Sequence, residues 1–186
     1  DLTQAKELLT AEKTLRLEDS NRRFRFNYHA VNALLARVYC YVGDAPHAIA
    51  CAQDVIDHCG LLLSSSNQDD PILFSECLVA LNMYHMQETT SRLWADGDKF
   101  STQYFIRQER FDKYFEVSGS TREDMRTKSA AFYEHSSTKT AISRKYNTNP
   151  HEAVPLIRLP EMYFILCEMT NDMTASAKYL NLVRNK

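Results

Sequence analysis

The sequence predicts a mainly α-helical protein, with helical hairpins towards its two ends and an irregular, aromatic-rich segment between them. Three observations carry this. Apolar residues recur at three- and four-residue steps from Phe24 to Gly60 and again from Ile157 to Val183, the spacing of one helical face. Glycine is scarce, at 4 of 186 residues, which disfavours an all-β sandwich and leaves no glycine-rich phosphate loop. Between the two periodic regions, Trp94, Phe100, Tyr104, Phe105, Phe111, Tyr114 and Phe115 alternate irregularly with charged residues.

Residues 2–13 predict a short helix with Leu2, Ala5, Leu8 and Leu9 on one face. Residues 18–25 are polar and basic, and Ser20 or Asn21 suits a helix start. Next come two helices, 24–42 and 44–59. The first presents Val31, Leu34, Leu35, Val38 and Val42; the second presents Ala48, Ala52, Val55, Ile56 and Cys59. Gly43 gives the first helix its C-terminal cap, Asp44 caps the second, and Pro46 fits a first turn where a missing N–H costs nothing. Ala33, Ala36, Ala48 and Ala52 let the two backbones pack closely. Ala36, Tyr39, Gly43, Ala48 and Ala52 fall where a tetratricopeptide-like helix pair, spanning roughly thirty residues, has small, aromatic, turn, small and apolar residues. An ordinary helical hairpin is the alternative.

Residues 61–71 read as a loop, and 72–83 fit either a short helix or a buried strand; a helical turn followed by an extended segment is the reading adopted. A helix is expected near 98–110, a turn at Ser118–Ser120, and a capped helix from Thr121 with Asp124 and Arg126 in its first turns. Residues 135–153 are polar with turn formers. Ile157, Met162, Ile165, Leu166 and Met169 predict another helix with Pro160 in its first turn, broken at Asn171-Asp172 before a last helix over 175–184. The chain is therefore read as one domain, 1–186, with a tetratricopeptide-like pair at 20–60, an irregular segment at 84–153 and a helix pair at 154–186.

The formal net charge of −2 gives no reason to expect a nucleic-acid partner. No apolar run reaches the length of a membrane span. The chain opens at Asp1 without Met and closes at Lys186 without a loop, which reads as a processed start and a truncated end. Five cysteines (Cys40, Cys51, Cys59, Cys77 and Cys167) show neither metal-ligand spacing nor a disulfide framework and are expected reduced and mostly buried. The six histidines are scattered, so no metal or other cofactor is expected.

Taken in order, ALLARVYCYVGDAPHAIACAQDVI, SECLVALN, TREDMR, PLIRLPEMYFILCE and YLNLVR resemble the SusD/RagB family over residues 20–186. That resemblance implies a SusD-like α-α superhelix and no enzymatic activity. It further implies an outer-membrane, cell-surface lipoprotein that binds a glycan or other nutrient and delivers it to a SusC-like TonB-dependent transporter. The lipid anchor would lie on an N-terminal segment absent from this chain. Members of the family are much longer, and this sequence has Cys167-Glu168 where Ala-Glu is usual. A tetratricopeptide-like interaction scaffold without a small ligand is the alternative function.

The residues themselves also argue against catalysis. Glu161 and Glu168, seven residues apart, would share one helix face about 10 Å apart along the axis. They could not flank a sugar as a glycosidase pair must, so an ion pair such as Glu161 with Arg158 is expected instead. For binding, sugars lay their C–H faces on aromatic rings and their hydroxyls on polar neighbours. Trp94 and Tyr104 as rings, with Arg92, Asp96 and Asp98 as hydroxyl partners, have that composition. Phe100, Phe105, Phe111 and Phe115 read as core of the same segment.

Overall fold

The computed structural model describes residues 1–18, 21–64, 70–94, 104–115, 132–135, 139–146 and 151–186, with 91–94 and 133–135 described by their backbone alone. The chain divides into two compact units. One comprises Asp1–Ser65, Ser75–Leu81 and Pro155–Lys186; the other comprises Ser66–Phe74 and Asn82–Val154.

The first unit is helical. Helix α1 (Leu2–Leu8) starts at Asp1, whose side chain accepts from the Gln4 amide in a capping box, and a 3₁₀ turn follows at Thr10–Glu12. Leu2, Ala5 and Leu9 pack towards the core, whereas Leu8, expected on the same face, is 85% exposed. Helices α2 (Tyr28–Val42) and α3 (Ala45–His58) form the expected pair. The first starts later than expected: Asn27, rather than Ser20 or Asn21, is its cap. Its side-chain oxygen accepts from the Ala30 amide at 3.0 Å, while its Nδ2 donates to the Leu78 carbonyl at 3.1 Å. Asn27 thus ties the start of α2 to strand β1 (Cys77–Asn82).

Between α2 and α3, Gly43 sits at φ +80°, and the Gly43 and Asp44 amides reach back to Cys40 and Tyr39. This doubly bonded left-handed cap is where glycine carries no Cβ penalty. Ala36, Ala48 and Ala52 are fully buried, so the two backbones meet along a seam of small side chains. Val31 and Leu35 are buried as expected, but Val38 and Val42 are exposed. The stripe continues by four-residue steps through Tyr39, which packs against the core, and this turns the residues one position earlier outward.

Helix α6 follows strand β5 (Ala153–Arg158), and here the last pair differs in its boundaries from the sequence expectation. Ile157 lies in β5 and α6 spans Leu159–Met169, with Pro160 in its first turn as expected. Helix α7 (Met173–Arg184) begins at the cap Asp172. Strands β1 and β5 form a two-stranded sheet, where a free edge tolerates Pro155. α3 and α7 both pack on α6, and Val55, Cys59, Leu78, Ile157, Leu159, Met162, Ile165 and Leu166 join one core. All five cysteines are free thiols; Cys51, Cys59 and Cys77 are buried and the other two half-buried.

A polar hub stands inside this unit. The Asp54 carboxylate of α3 accepts from Tyr28 Oη at 3.0 Å, Asn32 Nδ2 at 2.8 Å and Lys13 Nζ at 2.8 Å. Burial pushes the Asp54 carboxyl up, but the bonds from Lys13 and Tyr28 and the nearby positive charges outweigh it and hold the carboxyl below its usual range. Burial and the Asp54 bond push the Tyr28 phenol up to about 12. His29, fully buried, donates Nε2–H to the Leu15 carbonyl at 2.9 Å, and burial lowers its pKa.

The second unit carries short elements. The 3₁₀ turn Phe74–Glu76, which leads out of it into the first unit, and the strand β1 that follows there match the expected helical turn and extended segment; within the second unit Phe74 stacks on His151 at 4.3 Å. Beyond β1 come α4 (Met86–Trp94), β2 (Ile106–Arg107), α5 (Gln108–Tyr114), β3 (Phe132–His135) and β4 (Thr140–Ser143). β4 lies between β2 and β3, antiparallel to both, with Ile106 opposite Ala141 and Tyr133 opposite Ile142. The helix expected over 98–110 is found at 108–114; residues 98–103 lie outside the described residues. So do the Ser118–Ser120 turn and the Thr121, Asp124 and Arg126 cap.

Two outcomes follow from the first unit. Ala48→Leu adds a branched side chain to a fully buried seam and lowers stability by about 1–3 kcal/mol, read as a fall in denaturation midpoint; an unchanged midpoint contradicts the pairing. The three titrating groups fix a pH window. His29 and Asp54 have depressed folded pKa values, so their contributions are present above the unfolded values and are lost as pH falls through them. Tyr28 has a raised one, so its contribution is present below about 10 and is lost as pH rises to about 12. Denaturant midpoints against pH therefore form a plateau between about pH 7 and 10 with a fall on either side.

Candidate functional site

Helix α5 is short, but its two sides differ sharply. Gln108, Phe111 and Phe115 face inward. Phe111 is 1% exposed and holds Phe115 and Phe132 at ring-centroid distances of 4.8 and 5.0 Å, while Phe115 and Phe132 stand 5.6 Å apart, edge on. Edge-on packing of this kind suits the charge distribution of aromatic rings. The Gln108 amide donates to the Lys139 carbonyl at 3.0 Å, which anchors the helix start beside β4. Gln108 Nε2 also donates to the Asp112 carboxylate at 2.9 Å.

Arg107, Arg110 and Tyr114, by contrast, are exposed. With Phe105, Ile106 and Glu109 they line an open cleft of about 700 Å³, within the size range of small-molecule sites. Phe105 is 46% and Tyr114 68% exposed. The cleft therefore offers two uncovered rings, two guanidinium groups and one carboxylate, all from a stretch of ten residues. Rings supply flat apolar faces, and the charged groups supply fixed hydrogen-bond donors and an acceptor.

Of the residues singled out in the sequence, Tyr104 is exposed and immediately precedes the cleft-lining Phe105. Arg92 and Trp94 fall in the last turn of α4, but their side chains lie outside the described residues, as do Asp96 and Asp98 altogether. Phe111 and Phe115 are core as expected, and Phe100 lies outside the described residues. Phe105 was expected in the core and is instead on the cleft; it precedes β2 and lies outside the inward face of α5. Arg107, Glu109, Arg110 and Tyr114 were not singled out. Periodicity gave no signal for them, because 107 and 114 stand four and three residues from Phe111, on its own side of a helix.

In the helical unit, Glu161 does not pair with Arg158. Arg37 Nε and Nη2 donate to its two oxygens at 2.6 and 2.8 Å, and Arg37 Nη2 also reaches the Leu156 carbonyl at 3.3 Å. The bond to Glu161 holds the Arg37 pKa above its usual value. Arg158 faces buried Glu76 instead, at 3.5 Å, and the other Glu76 oxygen accepts from the Ser64 amide at 2.7 Å. Among the described residues no His, Cys, Asp and Glu cluster is placed to hold a metal ion, and no helix is long and apolar enough to cross a membrane.

A helical hairpin unit joined to a unit of short strands and helices defines a mainly α fold of the SusD type. The chain superposes on a SusD superfamily protein from Bacteroides thetaiotaomicron VPI-5482 with a TM-score of 0.64 and 21% identity, over 98% of this chain and 46% of that one. The chain thus spans less than half the length of that protein. No protein-family model matches the sequence, and no curated protein does.

Proposed function

We propose that this chain is the part of a SusD-like protein that binds a glycan without altering it, at the cleft formed by Phe105, Arg107, Glu109, Arg110 and Tyr114, with Tyr104 at its edge. The observation that carries this reading is the pair of exposed rings beside unspent polar groups in a cleft of ligand size. Trp94, Arg92, Asp96 and Asp98, close in sequence, are further candidates for ligand contact in this reading. The fold likeness supports a nutrient-binding role at the outer-membrane surface, as a lipid-anchored protein passing its ligand to a SusC-like TonB-dependent transporter. The bidentate use of Glu161 by Arg37 supports a binding role over catalysis, because that carboxylate is already committed.

A second reading, a tetratricopeptide-like scaffold for a protein partner, is favoured by the solvent-facing Val38, Tyr41 and Val42 of α2. Titration of an oligosaccharide panel separates the two. The glycan reading expects saturable binding that weakens at least about tenfold in Tyr114→Ala and Phe105→Ala, consistent with stacking losses of roughly 1–3 kcal/mol, with melting curves unchanged. Phe111→Ala is the control, and it loses about 3–5 kcal/mol of stability as a buried aromatic does. Unchanged affinity in Tyr114→Ala and Phe105→Ala contradicts the cleft assignment, and absence of any saccharide binding favours the scaffold.

A further inference from the structure

We infer that the saccharide bound in the α5 cleft is anionic, bearing carboxylate or sulfate groups. This rests on reading that cleft as a saccharide site. Two of its lining residues are arginines, Arg107 and Arg110, against one carboxylate, Glu109. They stand three residues apart, at the junction of β2 with α5 and in the first turn of α5, and both are exposed. Neither guanidinium forms an ion pair with a carboxylate among the described residues. The nearest acidic residue on the inward side, Asp112, is held by Gln108 Nε2 at 2.9 Å and does not line the cleft.

The physical argument turns on desolvation. A ligand that settles on Phe105 and Tyr114 strips water from the arginines beside them. Hydroxyls of a neutral sugar replace that water with neutral dipoles, so two cations lose hydration without gaining a counter-charge. A uronate or a sulfated sugar replaces it with oxygens that accept paired N–H bonds from the planar guanidinium, the shorter and stronger charge-assisted kind. Ring faces then fix the sugar plane while the arginines fix the position of its acidic group. Glu109 accepts from hydroxyls of the same ligand and disfavours an acidic group placed on its side of the cleft.

The test compares matched pairs. Tetragalacturonate is titrated beside its fully methyl-esterified form, and a sulfated galactotetraose beside galactotetraose, against the intact chain, Arg107→Gln and Arg110→Gln. The inference expects the charged member of at least one pair to bind about tenfold or more tighter than its neutral counterpart, the scale of a charge-assisted bond. It expects that preference to shrink in each arginine variant while melting curves stay unchanged, and to weaken as salt rises from 50 to 500 mM. Which pair shows the preference distinguishes carboxylate from sulfate recognition. Equal or tighter binding of the neutral members overturns the inference and leaves the glycan-binding reading intact. A charge preference that survives both arginine substitutions overturns it as well. No binding to any of the four compounds counts against both the inference and the reading beneath it.

Discussion

The helical unit depends on how closely α2 and α3 approach. Ala36, Ala48 and Ala52 are fully buried at that seam, and no larger side chain could stand there without moving a backbone. Close approach brings Val55 and Cys59 of α3 onto α6, and α6 in turn supports α7. The same approach places Asp54 of α3 within bonding distance of Tyr28 and Asn32 of α2. A half-buried carboxylate is costly unless its oxygens are satisfied, and here Tyr28, Asn32 and Lys13 donate to it. The polar hub therefore fixes the register that the alanines permit, because sliding one helix along the other would leave Asp54 without its partners.

In the second unit a single ring plays the organising part. Phe111 buries the inward side of α5 against Phe115 and Phe132. Arg107, Arg110 and Tyr114 stay exposed around it. Hydrogen bonding of Gln108 to Lys139 sets the helix start beside β4, so the cleft wall is held by backbone as well as by packing. In the proposed reading stability rests on buried Phe111 and binding on exposed Phe105 and Tyr114, so the exposed rings can change without unfolding the element that carries them.

The hairpin was the most legible part of the sequence, since Gly43, Asp44, Pro46 and the alanines each specify one local geometry. Its errors were ones of phase: Leu8, Val38 and Val42 turn outward while Leu9 and Tyr39 pack on the core, a choice between neighbouring positions that mixed three- and four-residue steps do not make. Tertiary partners were not legible. Arg37 reaches Glu161 across 124 positions of sequence, whereas the sequence offered only the neighbour Arg158. The aromatic middle was singled out by composition as a candidate binding segment, but composition does not separate buried from exposed rings. That separation came from Phe111, whose burial moved the emphasis from Trp94 and the aspartates to Phe105, Tyr114 and two arginines.

The central claim is that ligand contact falls on the α5 cleft and not on the helical hairpins. Amide hydrogen exchange measured by mass spectrometry, with and without a saturating acidic oligosaccharide mixture, tests it most directly. The account predicts slowed exchange in peptides covering 104–115 and no change over 28–58. Protection over 28–58 with none over 104–115 would contradict it.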